Sequence, residues 1–440
     1  MTSHFRQKQT LKKLHLSAPP AFRYPAFRAF WYGMLASVSG FQMLRFGQFW
    51  LIFQITESPL ALGYVGLANG VPAVLLNLFG GVAADKVDQR RLIMVAQSII
   101  SVLVFVLATL TLVDVVKVWH ILTMAFLAGA VEAFDQPARR ALFPHLIDRK
   151  DMMSAVALNS AIWPGTRIMA PAVAGLIIAW AGTATTFYIS SAGFLTMAVV
   201  VYGLKVPKVP SRPSTSTIHD LREGLGFVGK NSMFSYLIGM TFFSSFFGMA
   251  YIPLMPVFAV EILRVGAAGQ GWLMGLGGVG SLLTTIWFAA KGGNVSRSLL
   301  IIGGGMMSGL SVVAFALTSV WIGSFVLALT LMFLVGVFNT MQNTALQASM
   351  QMLVPDHIRG RVMGIYGMTY NIRPLGGMQA GALAGLITAP FAIAVGGLAV
   401  TIFAIGSALS SRKVRQMDRV MREAELEPKI ESPIAQPLDT

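Results

Sequence analysis

Apolar residues in this chain run for about twenty positions at a time, and short polar or charged stretches separate the runs. Twenty residues of α-helix cover the hydrocarbon of a bilayer, where a backbone must satisfy its own hydrogen bonds. The pattern predicts an all-α membrane protein with twelve spans. They fall near 30–54, 60–84, 92–113, 119–138, 154–180, 184–204, 232–259, 268–290, 298–318, 321–345, 361–388 and 390–411. Residues 205–231 form the one long polar insertion, Pro- and Ser/Thr-rich at first and amphipathic from Ile218. The expected organisation is a tail over 1–29, a six-helix bundle over 30–204, a linker over 205–231, a second bundle over 232–411 and a tail over 412–440.

Composition agrees with lipid as the solvent: 55% of the 440 residues are hydrophobic and 12% charged, about half the charge of a soluble domain. A net charge of +15 would suit nucleic acid, but only short basic loops between apolar runs carry it. Its distribution reports topology instead. Of 33 Lys and Arg, 28 fall on the termini and the loops on their side, two (Lys117 and Arg264) on the opposite loops, and three within spans. By the positive-inside rule both termini are cytoplasmic. The N-terminal Arg6, Lys8, Lys12, Lys13, Arg23 and Arg28 precede a full-length apolar run without a small-residue cleavage pattern, so the first span is expected to be retained. With no cysteine, disulfides are excluded.

Between spans 2 and 3, Gly80 to Arg91 (GGVAADKVDQRR) packs five charges into a hairpin, with small residues before it that allow two helices to approach closely. The spacing of Gly81, Asp85, Lys86, Arg90 and Arg91 resembles the loop 2/3 signature of the major facilitator superfamily of secondary transporters, with Asp88 where that signature usually has Gly. Phe134 to Gly175 and Leu353 to Tyr370 resemble one branch of it, that of the bacterial enterobactin exporter and related siderophore and macrolide efflux carriers. The resemblance covers nearly the whole chain and implies two pseudo-symmetric six-helix bundles rocking about a central site. A weak internal repeat at an offset of 207 agrees, with Ala138/Ala345, Ala141/Ala348 and Leu146/Leu353 identical.

Ionisable side chains in hydrocarbon mark candidate function, because each costs roughly 2.5–3.5 kcal/mol unless it meets water or a partner. Arg45, Arg167 and Arg373 lie inside spans 1, 5 and 11, whereas spans 3, 6, 9 and 12 carry no charge. Each arginine stands in a polar helical stripe. Gln42, Arg45 and Gln48 make one, Asn159, Trp163 and Arg167 a second, and Tyr366, Tyr370 and Arg373 a third, while Asn339, Gln342 and Asn343 add a polar patch on span 10. These residues predict a positive cavity for an anionic or aromatic, catecholate-like small molecule. The alternative is that an arginine bonds carbonyls or Gln neighbours and only fixes packing.

Acids inside the spans number two, Glu132 and Asp135. A buried carboxylate that changes protonation could couple proton entry to export, and Glu132 is the candidate. Asp135, one helical turn from Arg139, is expected to form a gate pair near the Arg90 and Arg91 turn. The resemblance further implies that Asp85 sits against the start of span 11 near Gly360 and Arg361, with Lys86, Arg90 and Arg91 completing a cytoplasmic lock. Ala170, Pro171, Ala174 and Gly175 partly match an antiporter motif and favour export modestly.

Gly275, Gly277 and Gly280 spell GxGxxG within span 8 with no preceding strand, which speaks against a dinucleotide site. No GxxxxGK[ST] occurs, so ATP is not expected as the energy source. The sequence thus predicts a monomeric, proton-coupled exporter of the bacterial inner membrane, not an enzyme, with a small-molecule substrate and no cofactor, metal or nucleic acid. A multidrug or macrolide carrier, a passive uniporter, or a non-transporting protein of the same fold are the alternatives.

Overall fold

The computed structural model describes residues 19–204, 231–291, 296–355, 358–370 and 372–410, together with 226, 228, 229 and 419. Most of the tails and the 205–231 linker lie outside them. Helices account for nearly all of it: α1 Pro25–Thr56, α2 Pro59–Lys86, α3 Gln89–Leu112, α4 Val118–Leu142, α5 Met152–Gly203, α6 Ser232–Phe243, α7 Tyr251–Val257, α8 Gly266–Lys291, α9 Arg297–Trp321, α10 Phe325–Leu353, α11 Arg359–Tyr370, α12 Arg373–Leu386 and α13 Ala389–Ser410.

Helix ends follow local chemistry. Pro25 and Pro59 open α1 and α2, where the missing N–H costs nothing. Asp88 caps α3, its carboxylate accepting from the Arg90 and Arg91 amides at 2.9 and 3.3 Å. The carboxylate that departs from the loop 2/3 signature therefore closes this turn.

Twelve passes come from thirteen helices because one helix makes two passes and two other passes are each split between two helices. α5 is two spans joined at Gly182, whose φ of 81° breaks the helix without widening the turn. Its first arm runs parallel to α1, Trp31 donating to the Leu158 carbonyl and Phe41 packing on Trp163. Its second arm runs antiparallel, with Gly47 against Phe187, Gly40 against Ser190 and Gly33 against Met197. The seventh span is α6, a π-turn over Ser244–Gly248, and α7. The eleventh is α11 and α12, interrupted between residues 370 and 373, where one continuous helix over 361–388 was expected. Pro374 weakens the join: lacking an N–H, it cannot donate back across it to the Tyr370 carbonyl. The tenth span starts and ends later than expected, after a turn at Gly323 (φ 64°), because Leu346 and Met350 extend its buried face.

Among the described residues nine helices are long and apolar enough to cross a membrane, the folded-back α5 counting once. The two remaining passes, α1 and α11–α12, are those that carry Arg45 and Arg373.

Packing differs between the two ends of the molecule. On the side away from the termini, one apolar core joins both halves: Ile52, Phe53, Leu62 and Phe187 share it with Leu254, Phe258 and Phe315. On the terminal side the halves keep separate cores, one around Phe27, Ile93, Met197 and Val201, the other around Leu237, Ile301, Leu346 and Val362. Two antiparallel seams hold the far side together. α2 meets α12, where a Cβ on Gly381 would lie 2.7 Å from the Pro59 carbonyl. The first arm of α5 meets α8, where a Cβ on Gly271 would lie 2.7 Å from the Pro171 carbonyl. The halves are closed together at the far end and parted toward the termini.

Candidate functional site

Arginines from three passes gather between the halves. Arg45 on α1 lies with its guanidinium 5.5 Å from the Phe41 ring centroid, in the fields of Glu132 and Arg373. Arg373 begins α12 at the interruption of the eleventh span. Arg167, on the first arm of α5, places a guanidinium nitrogen 3.8 Å from the Met249 sulfur across the seam. All three arginines are half-buried rather than sealed in packed side chains. Tyr251 stands in the fields of both Arg167 and Arg373. Glu132, half-buried on α4, hydrogen-bonds Gln136 and supplies a negative charge beside Arg45.

A pocket beside this cluster is lined by Arg167, Tyr251, Ile252, Met274, Gly277, Gly278, Ser281, Met332, Val335, Gly336 and Asn339. Tyr251 is 8% exposed, and among the described residues no hydrogen bond takes up its hydroxyl. The sequence reading missed it. A π-turn over Ser244–Gly248 precedes α7, and no periodicity in an aromatic-rich span announces such a turn. A tyrosine among the phenylalanines in the middle of that span was the available signal.

Other polar stripe residues divide between cavity and packing. Asn339 lines the pocket, and Asn343 donates to its side chain at 3.0 Å. Gln42 and Asn159 are half-buried on the helices of Arg45 and Arg167. Trp163 packs edge-on against Phe41. Gln48 is buried and accepts from Asn69 at 3.3 Å. Gln342 is fully buried and donates to Ser244 at 2.8 Å, inside the second half. Tyr366 belongs to that half's terminal-side core. The side chain of Tyr370 lies outside the described ones, and the helix break separates Tyr366 from Arg373.

The expected gate residues do not form one cluster. Asp135 and Arg139 pair at 2.6 Å and are buried. Arg139 also donates to Ser37 at 2.8 Å, Ser37 to the Gln97 carbonyl oxygen at 2.8 Å, and Gln97 in turn bonds Asp135. This ring joins α1, α3 and α4 within the first half. Arg90 instead bonds the carbonyls of Val201 and Tyr202, and Arg91 lies 4.0 Å from Asp88. Lys86 is exposed at the end of α2 and Arg361 half-buried in the first turn of α11. Gly81 offers no side chain to a lock, and the side chain of Asp85 lies outside the described ones.

The offset of 207 relates these groups pairwise. Asp135 falls on Gln342 and Ser37 on Ser244; the second-half amide donates directly to its hydroxyl, whereas in the first half Arg139, which falls on Leu346, stands between the two. Glu132 likewise falls on Asn339. The glycines that spell GxGxxG serve packing: a Cβ on Gly280 would lie 2.3 Å from the Phe333 carbonyl of α10, and Gly277 meets Gly336.

Similarity to known proteins agrees with this architecture. The chain is 27% identical to the staphyloferrin A transporter of Staphylococcus aureus over 76% of its length and 83% of that protein's. It is 25% identical to the multidrug efflux pump Tap of Mycolicibacterium fortuitum, again over 76% and 83%. Macrolide efflux protein A of Streptococcus pyogenes is 22% identical over 53% of this chain and 57% of that one. Among solved structures, a bacterial homologue of the human lysosomal transporter Spinster, in an inward-facing and unoccupied conformation, superposes with a TM-score of 0.66. It is 14% identical and covers 91% of this chain and 99% of its own. The fold is that of the major facilitator transporters, and with residues 16–439 matching the profile of the transmembrane secretion effectors, the chain belongs to that family.

Proposed function

We propose that this transporter is a proton-coupled exporter of an anionic, aromatic or siderophore-like small molecule, working by alternating access in the bacterial inner membrane with both termini in the cytoplasm. The bundles over 30–204 and 232–411 rock as bodies joined by the 205–231 linker, and one chain is the working unit. The observation that carries the reading is the gathering of Arg45, Arg167 and Arg373, from both halves, around a space that among the described residues holds one carboxylate, Glu132. Three guanidiniums against one acid favour a substrate that brings negative charge. Sequence similarity to a siderophore transporter and to efflux pumps supports export of this kind of cargo.

Glu132 is the proposed proton carrier, since a carboxylate beside Arg45 can exchange a proton for the substrate's charge. Inside-out vesicles test both parts. Arg167→Ala and Arg373→Ala are expected to lower accumulation of an anionic aromatic substrate at least tenfold, and a protonophore to abolish it. Glu132→Gln is expected to abolish uphill accumulation while leaving downhill flux. A drug or macrolide cargo is the second reading, favoured by the methionine wall of Met249, Met274 and Met332, which adapts to varied apolar shapes. Under it, neutral or cationic amphiphiles move at full rate in both arginine variants.

A further inference from the structure

The pocket beside Tyr251 has an unequal parentage. Every lining residue comes from the second half except one, Arg167, which the first half extends across the α5–α8 seam. At that seam the helices touch almost backbone to backbone: a Cβ on Gly278 would lie 2.7 Å from the Ile168 Cα, and the Arg167 guanidinium reaches Met249 in the facing half. The second half contributes two neutral donors, the Tyr251 hydroxyl and the Asn339 amide, with Met274 and Met332 as an apolar wall, while the Ser281 hydroxyl is taken by the Gly277 and Gly336 carbonyls. Among the lining groups, an anion bound here takes its countercharge from one body and its hydrogen bonds from the other, with Arg373 of the second half acting on Tyr251 from outside the lining.

We propose that this is a split anion subsite, complete only while the far-side seam is closed, with Tyr251 as its hydrogen-bond donor. The inference rests on the anionic-substrate reading and adds transport direction to it. Opening the far side separates α5 from α8 and withdraws the guanidinium from the pocket. Affinity for an anionic group then falls as the molecule opens away from the termini, so cargo loaded from the terminal side is released on the far side. An importer needs the opposite asymmetry.

The chain's lack of native cysteine makes a lock straightforward. A Cβ on Gly275 would lie 3.4 Å from the Ala172 Cβ, close to the spacing of a disulfide, so Ala172→Cys with Gly275→Cys holds the seam closed when oxidised. Gly271→Trp wedges the same seam without touching the pocket lining. Equilibrium dialysis of purified protein with 2,3-dihydroxybenzoate reads the affinity. The oxidised lock is expected to bind several-fold tighter than its reduced form. Arg167→Gln in the oxidised lock is expected to weaken binding at least tenfold and Tyr251→Phe several-fold, and both losses to shrink to under twofold in the wedged protein.

Equal Arg167→Gln losses in locked and wedged protein overturn the split subsite while leaving an anion cavity intact. Absence of probe binding in every form overturns the anionic-substrate reading itself. If the wedge fails to give monodisperse protein, the comparison of oxidised with reduced lock decides, and unchanged affinity on oxidation overturns the proposal.

Discussion

Removing one member of a buried ion pair leaves a charge with no counter-ion, and in this chain that residue-scale cost is open to measurement. Asp135 and Arg139 sit 2.6 Å apart, 4% and 6% exposed, with Ser37 and Gln97 closing the ring. Asp135→Asn strands the guanidinium and is expected to cost about 3–5 kcal/mol. Its counterpart Gln342, bonded to Ser244, carries no charge, so Gln342→Leu is expected to cost only about 1–3 kcal/mol. Thermal unfolding in detergent compares the two directly, and the double variant Asp135→Asn with Arg139→Gln should recover much of the first loss. At this scale the sequence made the arginines legible, because lipid tolerates a guanidinium only where something else receives it. It did not separate polar side chains that face the cavity from those that glue helices. Asn339 and Gln342, three positions apart on α10, go one each way, and nothing in their residue types distinguishes them.

Helices here approach one another through glycine, which makes the element scale sensitive to single methyl groups. A Cβ on Gly336 would lie 1.8 Å from the Gly277 carbonyl, and one on Gly80 would lie 2.0 Å from the Ala133 carbonyl, so the α8–α10 and α2–α4 contacts have no room for a side chain. Gly336→Val is expected to destabilise by about 1–3 kcal/mol or more through overpacking, whereas Gly385→Ala, where a Cβ meets nothing within 4 Å, should be nearly neutral. Thermostability of the two purified variants checks the contrast. Broken spans form the other half of this scale. Pro374→Ala restores an amide that can donate to the Tyr370 carbonyl, so the eleventh span should gain helix while Arg373 leaves its position at the start of α12. The expected outcome is a higher melting temperature with weaker transport. Runs of apolar residues revealed eleven of the passes to within a few residues, yet the π-turn before Tyr251 and the division of the eleventh span into α11 and α12 are tertiary accommodations that hydropathy does not register.

At the scale of the whole molecule, the two ends of the cavity differ in what lies between the halves. One shared core and two glycine seams close the far end, while separate cores flank the terminal end. A thiol-specific, membrane-impermeant reagent should therefore distinguish positions by depth, given a chain with no cysteine of its own. A Cβ on Gly165, in the first arm of α5, or on Gly367 of α11 would meet nothing within 4 Å, and both glycines sit terminal-side of the arginines. Gly165→Cys and Gly367→Cys should label readily in inside-out vesicles. Gly63→Cys, which would press on Met378 at the α2–α12 seam, should resist labelling from either face until the far side opens. Adding a transportable anion to the terminal side should then slow labelling at Gly165→Cys, because cargo near Arg167 shields that part of α5 from the reagent. Equal labelling of all three positions would mean that the halves are not parted as described, and would remove the cavity on which export depends.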